Sequence, residues 1–238
     1  MEHDPADVRM IEGARPVLEA IRDRFALIAF VSGRAITDLE RIVGIPGCAY
    51  AGTHGMELRR VGSDTIELAE SDENAGPQMD VLLDRFPAEV QAVLGIRVER
   101  KQSLSLSFHF RGADDIEKAR RFLDEVVRPQ AESLGLKTGW GRRILEIMPA
   151  GAVNKGTSIR TLLASGVIRN AAMIGDDRTD TDAWAALRQL RRAGRLAHVA
   201  CILAGDDEVD PSVRDVADAE VPGPPGVLAL LERVANTV

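Results

Sequence analysis

The sequence feature that most constrains the fold is a short apolar run that ends in acidic residues, AAMIGDDRTDTD at 171–182. The apolar part has the length of a buried strand, and Gly175 ends it. Four aspartates follow before a stretch with helical spacing: Asp176, Asp177, Asp180 and Asp182. This order predicts a strand, a turn and a helix of an α/β protein, with the acidic side chains at the carboxyl end of the strand.

Two interpretations of this acidic cluster remain open from the residues alone. Carboxylates at a strand end suit a hard cation such as Mg²⁺, which takes oxygen ligands and keeps water or phosphate oxygens in its shell. A solvated acidic turn is the alternative, because Asp is favoured at helix N-caps and in first turns. Asp176 and Asp177 by themselves do not decide between a metal site and a capped helix.

The strand-then-helix order recurs elsewhere and predicts a parallel sheet. Apolar runs of strand length lie at 26–31 and 48–51, and the first is followed by a helical pattern that closes at Gly44. After residue 149 the same rhythm returns, with a helix, the run before Gly175, another helix and a further apolar run at 198–203. Successive units of this kind are typical of an α/β domain.

The middle of the chain has a different pattern, which predicts an inserted domain. SLSLSFHF at 103–110 alternates strictly, as expected for a strand with one face exposed to solvent. A long amphipathic helix pattern follows at 114–134. We therefore predict three segments: residues 1–56 and 149–238 form one α/β core in two pieces, and residues 57–148 form an α+β domain between them.

Composition excludes several classes of function. The net charge of −7 disfavours nucleic acid and anionic membranes as partners. No run is long enough to span a bilayer, and the acidic amino end does not resemble a signal peptide, so we expect a cytoplasmic protein. A monomer is the default expectation. The two cysteines, Cys48 and Cys201, lie far apart in apolar surroundings and are predicted to be buried thiols.

Four motifs, taken in order, resemble one family. They are VSGR at 31–34, AGTHGME at 51–57, NKG at 154–156 and GDDRTDTDAW at 175–184. In this order, with an insert between the second and third, they are similar to the haloacid-dehalogenase-like (HAD) phosphatases, and among these to the trehalose-6-phosphate phosphatases. The resemblance implies a HAD-like Rossmannoid core with a parallel sheet and an inserted α+β cap. It also implies Mg²⁺-dependent hydrolysis of a sugar phosphate.

The resemblance also assigns roles to residues of this chain. Ser32 would bind the phosphoryl group, Lys155 would stabilise the phosphorylated intermediate, and Asp176 would ligate Mg²⁺. Asp177 and Asp180 would support the metal. Substrate-binding positions are implied at the core entrance and in the cap: Gly33, Arg34, His54, Gly55, Lys101, His109, Arg111 and Glu146. His109 and Arg111 could also be ordinary polar residues of a sheet face, and Glu146 an exposed strand residue.

One departure from the family is serious. HAD phosphatases attack with an aspartate of a D-x-D-G-T motif at the end of the first core strand, and this sequence contains no such motif. Neither Asp4 nor Asp7 replaces it, because no apolar strand precedes them. The first core strand is thus missing, so the resemblance predicts unpaired backbone groups in the sheet, each costing roughly 1–3 kcal/mol when buried. We hypothesise that the natural protein carries this strand upstream.

Three functions remain open at this stage. The first is a trehalose-6-phosphate phosphatase. The second is a catalytically inactive HAD-like domain that binds a sugar phosphate or a partner such as a synthase subunit; the retention of Ser32, Lys155 and Asp176 argues against it. The third is a related capped phosphatase that acts on a sucrose- or mannosylglycerate-type phosphate, which AGTHGME disfavours.

Overall fold

The computed structural model describes residues 8–69, 75–101, 105–141, 143–150, 153–165, 167–207 and 209–237. Their contacts divide the chain into two units. The first unit contains the described residues up to Ala69 and those from Val153 onward; the second contains the described residues between 75 and 150. None of the helices in the described ranges is both long and apolar enough to cross a membrane.

The helices and strands of the two units have the following bounds. The helices are α1 (Ala14–Arg22), α2 (Ile36–Ile42), α3 (Ala75–Arg85), α4 (Ala88–Val93), α5 (Ile116–Phe122), α6 (Arg128–Ser133), α7 (Lys155–Leu162), α8 (Asp180–Arg192), α9 (Pro211–Arg214) and α10 (Gly223–Thr237). The strands are β1 (Ala29–Val31), β2 (Ala49–Gly52), β3 (Glu57–Arg59), β4 (Glu67–Leu68), β5 (Arg97–Lys101), β6 (Ser105–His109), β7 (Leu136–Gly141), β8 (Ile144–Pro149), β9 (Asn170–Gly175), β10 (His198–Gly205) and β11 (Ala219–Pro222).

The strands of the first unit form two separate sheets. One has the order β1-β2-β3-β4, with β1 and β2 parallel, and the other has the order β11-β10-β9, with all three strands parallel. Among the described residues, β1 and β9 are therefore each paired on one side only. Apolar strands of an α/β core are normally buried, but the residues of β1 are only partly buried and Ala172 of β9 is exposed. This arrangement agrees with a parallel core that lacks its first strand.

The two sheets nevertheless share one hydrophobic cluster. Leu27 and Val31, before and within β1, pack against the same buried residues as Met173 of β9. Those buried residues come largely from α7 and α8 and include Ile159 and Leu187. The first unit is thus one core that holds two half-sheets, rather than two independent pieces.

The second unit is an antiparallel sheet of order β5-β6-β8-β7 with helices on its apolar face. The helix that follows β6 runs from α5 through one π-helical stretch, Leu123–Val127, into α6. Its most deeply buried residues recur every four positions, at Ala119, Leu123, Val127 and Ala131. A spacing of four exceeds the 3.6 residues of an α-helical turn, and the wider π-helical stretch keeps these residues on one face.

The other face of this sheet differs from the prediction. We expected it to be exposed to solvent, but Ser105, Ser107 and Glu146 are buried. Ser107 lies in register between Glu99 on β5 and Glu146 on β8. Strict alternation in β6 therefore indicates two faces without indicating that one is solvated.

The boundary of the first unit also lies beyond the predicted position. We placed the start of the insert at residue 57, but Glu57–Arg59 pairs with β2 and Glu67–Leu68 pairs with β3 in turn. This antiparallel extension belongs to the first sheet because hydrogen bonds join it to β2. Residues 57–69 thus stay with the first unit.

Both cysteines should resist thiol reagents in the native protein. Cys48 and Cys201 are buried free thiols, as the sequence predicted. Burial raises the pKa of both thiols, that of Cys201 to about 11, so little reactive thiolate forms at neutral pH. We expect 5,5′-dithiobis(2-nitrobenzoate) to react slowly in buffer and with both thiols at once in denaturant. Rapid reaction of the native chain would show that these side chains are accessible.

Candidate functional site

The first part of the site is the amino end of α7, which places a lysine in the interior. Asn154 and Thr157 form a reciprocal capping box: each side chain accepts a hydrogen bond from the other residue's backbone N–H, at 3.1 and 2.7 Å. The cap fixes the first turn, so Lys155 begins the helix in a defined orientation. Lys155 is only 6% exposed. A buried ammonium needs a partner, since an isolated buried charge is strongly disfavoured.

That partner is Asp180, at the start of α8. Lys155 Nζ donates to Asp180 Oδ1 at 2.8 Å, and both side chains are buried. The other oxygen, Oδ2, accepts from the backbone N–H groups of Asp176 and Asp177, at 3.1 and 3.0 Å. Asp180 therefore links α7 to the turn after β9. Both of its oxygens accept hydrogen bonds, and the predicted support of a metal ion by Asp180 stays a prediction.

The remaining acidic residues offer carboxylate oxygens to a cation but do not supply a full set of ligands. Among the described residues, no three acidic, histidine or cysteine side chains converge as a metal site would require. Mg²⁺ is commonly held by one or two carboxylates, with water and phosphate oxygens filling the other positions. Asp176, directly after β9, and the neighbouring Asp177 supply oxygen donors of this kind. The donor chemistry of Asp176 and Asp177 therefore fits Mg²⁺.

The second part of the site is a loop and a turn that interlock. The loop Ser32–Arg34 follows β1, and the short 3₁₀ turn Thr53–Gly55 follows β2. The Arg34 N–H donates to Ser32 Oγ at 3.2 Å, which leaves the hydroxyl hydrogen of Ser32 for another acceptor. His54 N–H donates to the carbonyl of Ser32 at 3.0 Å. These bonds bring the predicted core residues Ser32, Arg34 and His54 together.

Two glycines allow the parts to pack closely. A Cβ at Gly33 would lie 2.4 Å from His54 Nε2, so the imidazole occupies the space that a side chain would take. Gly55 has φ +105, and a Cβ there would lie 2.4 Å from Ser158 Oγ on α7. Only glycine fits both positions without a shift of its neighbours. The turn after β2 therefore lies against α7, and Lys155 of α7 is linked through Asp180 to the turn after β9.

The predicted cap residues lie in different parts of the second unit. His109 and Glu146 lie on the polar face of the second unit's sheet, whereas Arg111 is exposed in the turn after β6. Lys101 is paired with Ser105 at the end of β5, and its side chain lies outside the described residues. His109 Nε2 is 3.0 Å from Glu99 Oε2, a partner that sequence reasoning missed. Side chains alternate between the two faces along a strand, so the position of Glu99 in β5 was the available signal that it lies on the polar face.

Comparison with known proteins gives relatives of one kind. At the sequence level, "Probable trehalose-phosphate phosphatase 4" of Oryza sativa subsp. japonica is 32% identical over 193 residues, covering 78% of this chain and 52% of the relative. The "Trehalose-phosphate phosphatase" of Mycobacterium avium is 30% identical over 217 residues, covering 87% of this chain and 52% of the relative. The chain thus spans about half the length of these curated relatives.

Fold comparison and the family model agree with these relatives. The C. albicans trehalose-6-phosphate phosphatase C-terminal domain superposes with a TM-score of 0.78 at 21% identity, covering 100% of this chain and 88% of that one, which shows the fold. The trehalose-phosphatase family model matches residues 1–215. Since that match takes in both units and every motif described above, the chain belongs to the trehalose-phosphatase family.

Proposed function

We propose that this chain is the phosphatase part of a Mg²⁺-dependent enzyme that hydrolyses trehalose 6-phosphate to trehalose and phosphate. Family membership and the names of the relatives support the reaction. The first unit would be the HAD-like core that binds the phosphoryl group, and the second the cap that binds the sugar. The proposal keeps the predicted cytoplasmic location, with a small sugar phosphate as partner and neither nucleic acid nor membrane.

The observation that carries the proposal is the buried Lys155, which is held at the start of α7 and bonded to Asp180 at the start of α8. One donor of its ammonium is used for Asp180, and an ammonium has three. The remaining donors suit phosphoryl oxygens, and a buried cation stabilises developing negative charge more strongly than an exposed one. The Ser32 hydroxyl and the backbone of the Ser32–Arg34 loop would complete the phosphate contacts.

Mg²⁺ would be held by Asp176, with Asp177 beside it. When bound, the metal would neutralise negative charge on the phosphoryl oxygens. Asp180 would act differently: its hydrogen bonds to the two backbone N–H groups hold the turn that carries Asp176 and Asp177. The chain's own contribution at this end is therefore a fixed turn rather than a set of three ligands.

In this proposal the nucleophile would belong to a D-x-D-G-T strand, a motif that residues 1–238 do not contain. Among the described residues, β1 and β9 are each paired on one side only, which supports this part of the proposal, since a strand between them would end next to the site. The first aspartate of the motif would attack phosphorus and form a phospho-aspartyl group, while the second would protonate the leaving sugar oxygen to give trehalose. Water, deprotonated by the second aspartate, would then attack the same phosphorus, release phosphate and restore the first carboxylate. We also propose that the sugar-binding residues of the second unit are Lys101, His109, Arg111 and Glu146.

The test measures phosphate release from trehalose 6-phosphate, sucrose 6-phosphate and a mannosylglycerate phosphate. The chain 1–238 should release no phosphate from any of them. The same chain with an added amino-terminal strand ending in D-x-D-G-T should hydrolyse trehalose 6-phosphate in preference to the others, and EDTA should stop it. Absence of hydrolysis of the whole panel by the extended chain would overturn the phosphatase proposal and favour the binding role.

A further inference from the structure

The turn after β2 has a backbone conformation that side chains disfavour. Thr53 and His54 are consecutive and both left-handed, with φ of +46 and +56. Thr53 is β-branched, which makes a positive φ a clear outlier. Such residues cost about 1–3 kcal/mol each and persist only where their surroundings impose the conformation. The two side chains are buried, so some other group of the fold must hold them in place.

Backbone hydrogen bonds from the neighbouring loop supply part of that restraint. Thr53 N–H donates to the carbonyl of Arg34 at 2.8 Å, next to the bond from His54 N–H to Ser32. The loop and the turn are therefore fastened at two successive residues. These bonds fix the turn relative to the loop, but they leave open what fixes the loop.

The carboxylate of Glu57 joins both segments to a third. Glu57 Oε2 accepts from the backbone N–H of Ile36 at 2.9 Å and from Thr53 Oγ1 at 3.1 Å. Ile36 is the first residue of α2, and the residue before it, Ala35, provides no side-chain cap. Glu57 thus supplies a cap from β3, and a carboxylate at a helix amino end is electrostatically favourable. It is 7% exposed.

The sheet register places Glu57 opposite a glycine. Glu57 faces Gly52 across β2 and β3, and a Cβ at Gly52 would lie 2.6 Å from Glu57 Oε2. The same Cβ would lie 2.7 Å from Ile36 N. Glycine at this position lets the carboxylate reach α2 and the turn together.

We propose that Glu57 is a positioning residue: its carboxylate ties the start of α2 to Thr53 and so holds the strained turn and the Ser32–Arg34 loop in their ligand-binding arrangement. The consequence for a phosphorylated sugar rests on the function proposed above. Glu57 touches neither the sugar nor the phosphate in this proposal. It acts through Ser32, Arg34 and His54.

Two substitution pairs test the proposal. Glu57→Leu removes the acceptor at nearly constant volume, and Glu57→Gln retains an oxygen acceptor for Ile36 together with a polar partner for Thr53. Thr53→Val removes the hydroxyl, and Thr53→Ser keeps it. The matched control is Glu67→Leu, since Glu67 is an exposed carboxylate on the adjacent strand β4, paired with Arg60.

Ligand-free NMR is the first readout. In Glu57→Leu we expect backbone couplings and chemical shifts of Thr53 and His54 to leave the left-handed range, and the Ile36 amide to exchange faster. Glu57→Gln and the Glu67→Leu control should keep the wild-type values. An unchanged turn in Glu57→Leu would overturn the proposal, because a residue that only adds stability would leave this geometry intact.

Affinity for trehalose 6-phosphate, measured by calorimetry well below the melting temperature, is the second readout. We expect Glu57→Leu to weaken binding about tenfold, equivalent to ~1.4 kcal/mol, with most of that loss recovered in Glu57→Gln. A lower melting temperature with unchanged affinity would contradict the proposal.

If Glu57→Leu does not fold, the comparison of Thr53→Val with Thr53→Ser decides in the same way. If the wild-type chain binds no sugar phosphate, the ligand-free NMR alone decides the role of Glu57, and phosphate release by the extended chain separately decides the proposed function.

Discussion

A chain extended at its amino end by an apolar strand that ends in D-x-D-G-T should be more stable than residues 1–238 alone. β1 and β9 are each paired on one side only among the described residues, although they pack on the same hydrophobic cluster. A strand of about five residues between them would form about four or five backbone hydrogen bonds with each neighbour, each contributing ~1 kcal/mol net. Ordering its backbone costs about 1 kcal/mol per residue and offsets roughly half of this gain. We therefore expect the free energy of unfolding to rise by about 3–5 kcal/mol in urea denaturation.

Two control extensions separate stability from catalysis. An extension of equal length with proline at two central positions cannot pair on both sides, so it should give no gain in stability. An extension in which the first aspartate is replaced by asparagine should stabilise fully yet release no phosphate. Hydrogen exchange should also show new protection at β1 and β9. If the intended strand stabilises no more than its proline version, no open strand position exists in this core.

Replacing Lys155 by methionine should be the most destabilising single change within the site. The Lys155–Asp180 ion pair is buried on both sides, and removal of one partner leaves an uncompensated buried charge. Breaking such a pair costs about 3–5 kcal/mol. The loss should appear as a lower urea midpoint in Lys155→Met. In the extended chain, the same substitution should also abolish phosphate release.

A double variant identifies the cause of that loss. Lys155→Met combined with Asp180→Asn removes both charges, so the pair should be less destabilised than the sum of the two single variants. Lys118→Met is the matched control, since Lys118 is exposed on α5 and its replacement should change stability by no more than about 0.5 kcal/mol. Additive effects of the two site substitutions would mean that the ion pair contributes little.

Much of the fold could be predicted because its signals are local. The apolar runs that become β1, β2, β9 and β10 each end at a glycine or serine, and the helices between them show regular apolar spacing. Two edge strands escaped prediction. Leu136–Gly141 contains two glycines, and Ala219–Pro222 is short and largely exposed. Such segments become strands because a neighbouring strand pairs with them, which sequence spacing does not report.

The candidate site was likewise predicted only in part. Motif resemblance pointed to Ser32, His54, Lys155 and Asp176, and the structure places the surrounding loops against one another. The roles of Glu57 and Asp180 depend instead on contacts that span 21 and 25 residues. A carboxylate that caps a distant helix and one that ligates a metal look alike in sequence. Only the direction of the side chain distinguishes them.

The two half-sheets also affect how this chain behaves in concentrated solution. An open strand edge offers N–H and C=O groups to any extended backbone, and proteins usually guard such edges with charge, proline or a covering element. β9, with its run Ala171–Ile174, carries neither a charged residue nor a proline within the strand. The position that a strand would fill within one molecule is therefore also a place where two molecules can pair, so solubility and completeness of the sheet are governed by the same edge.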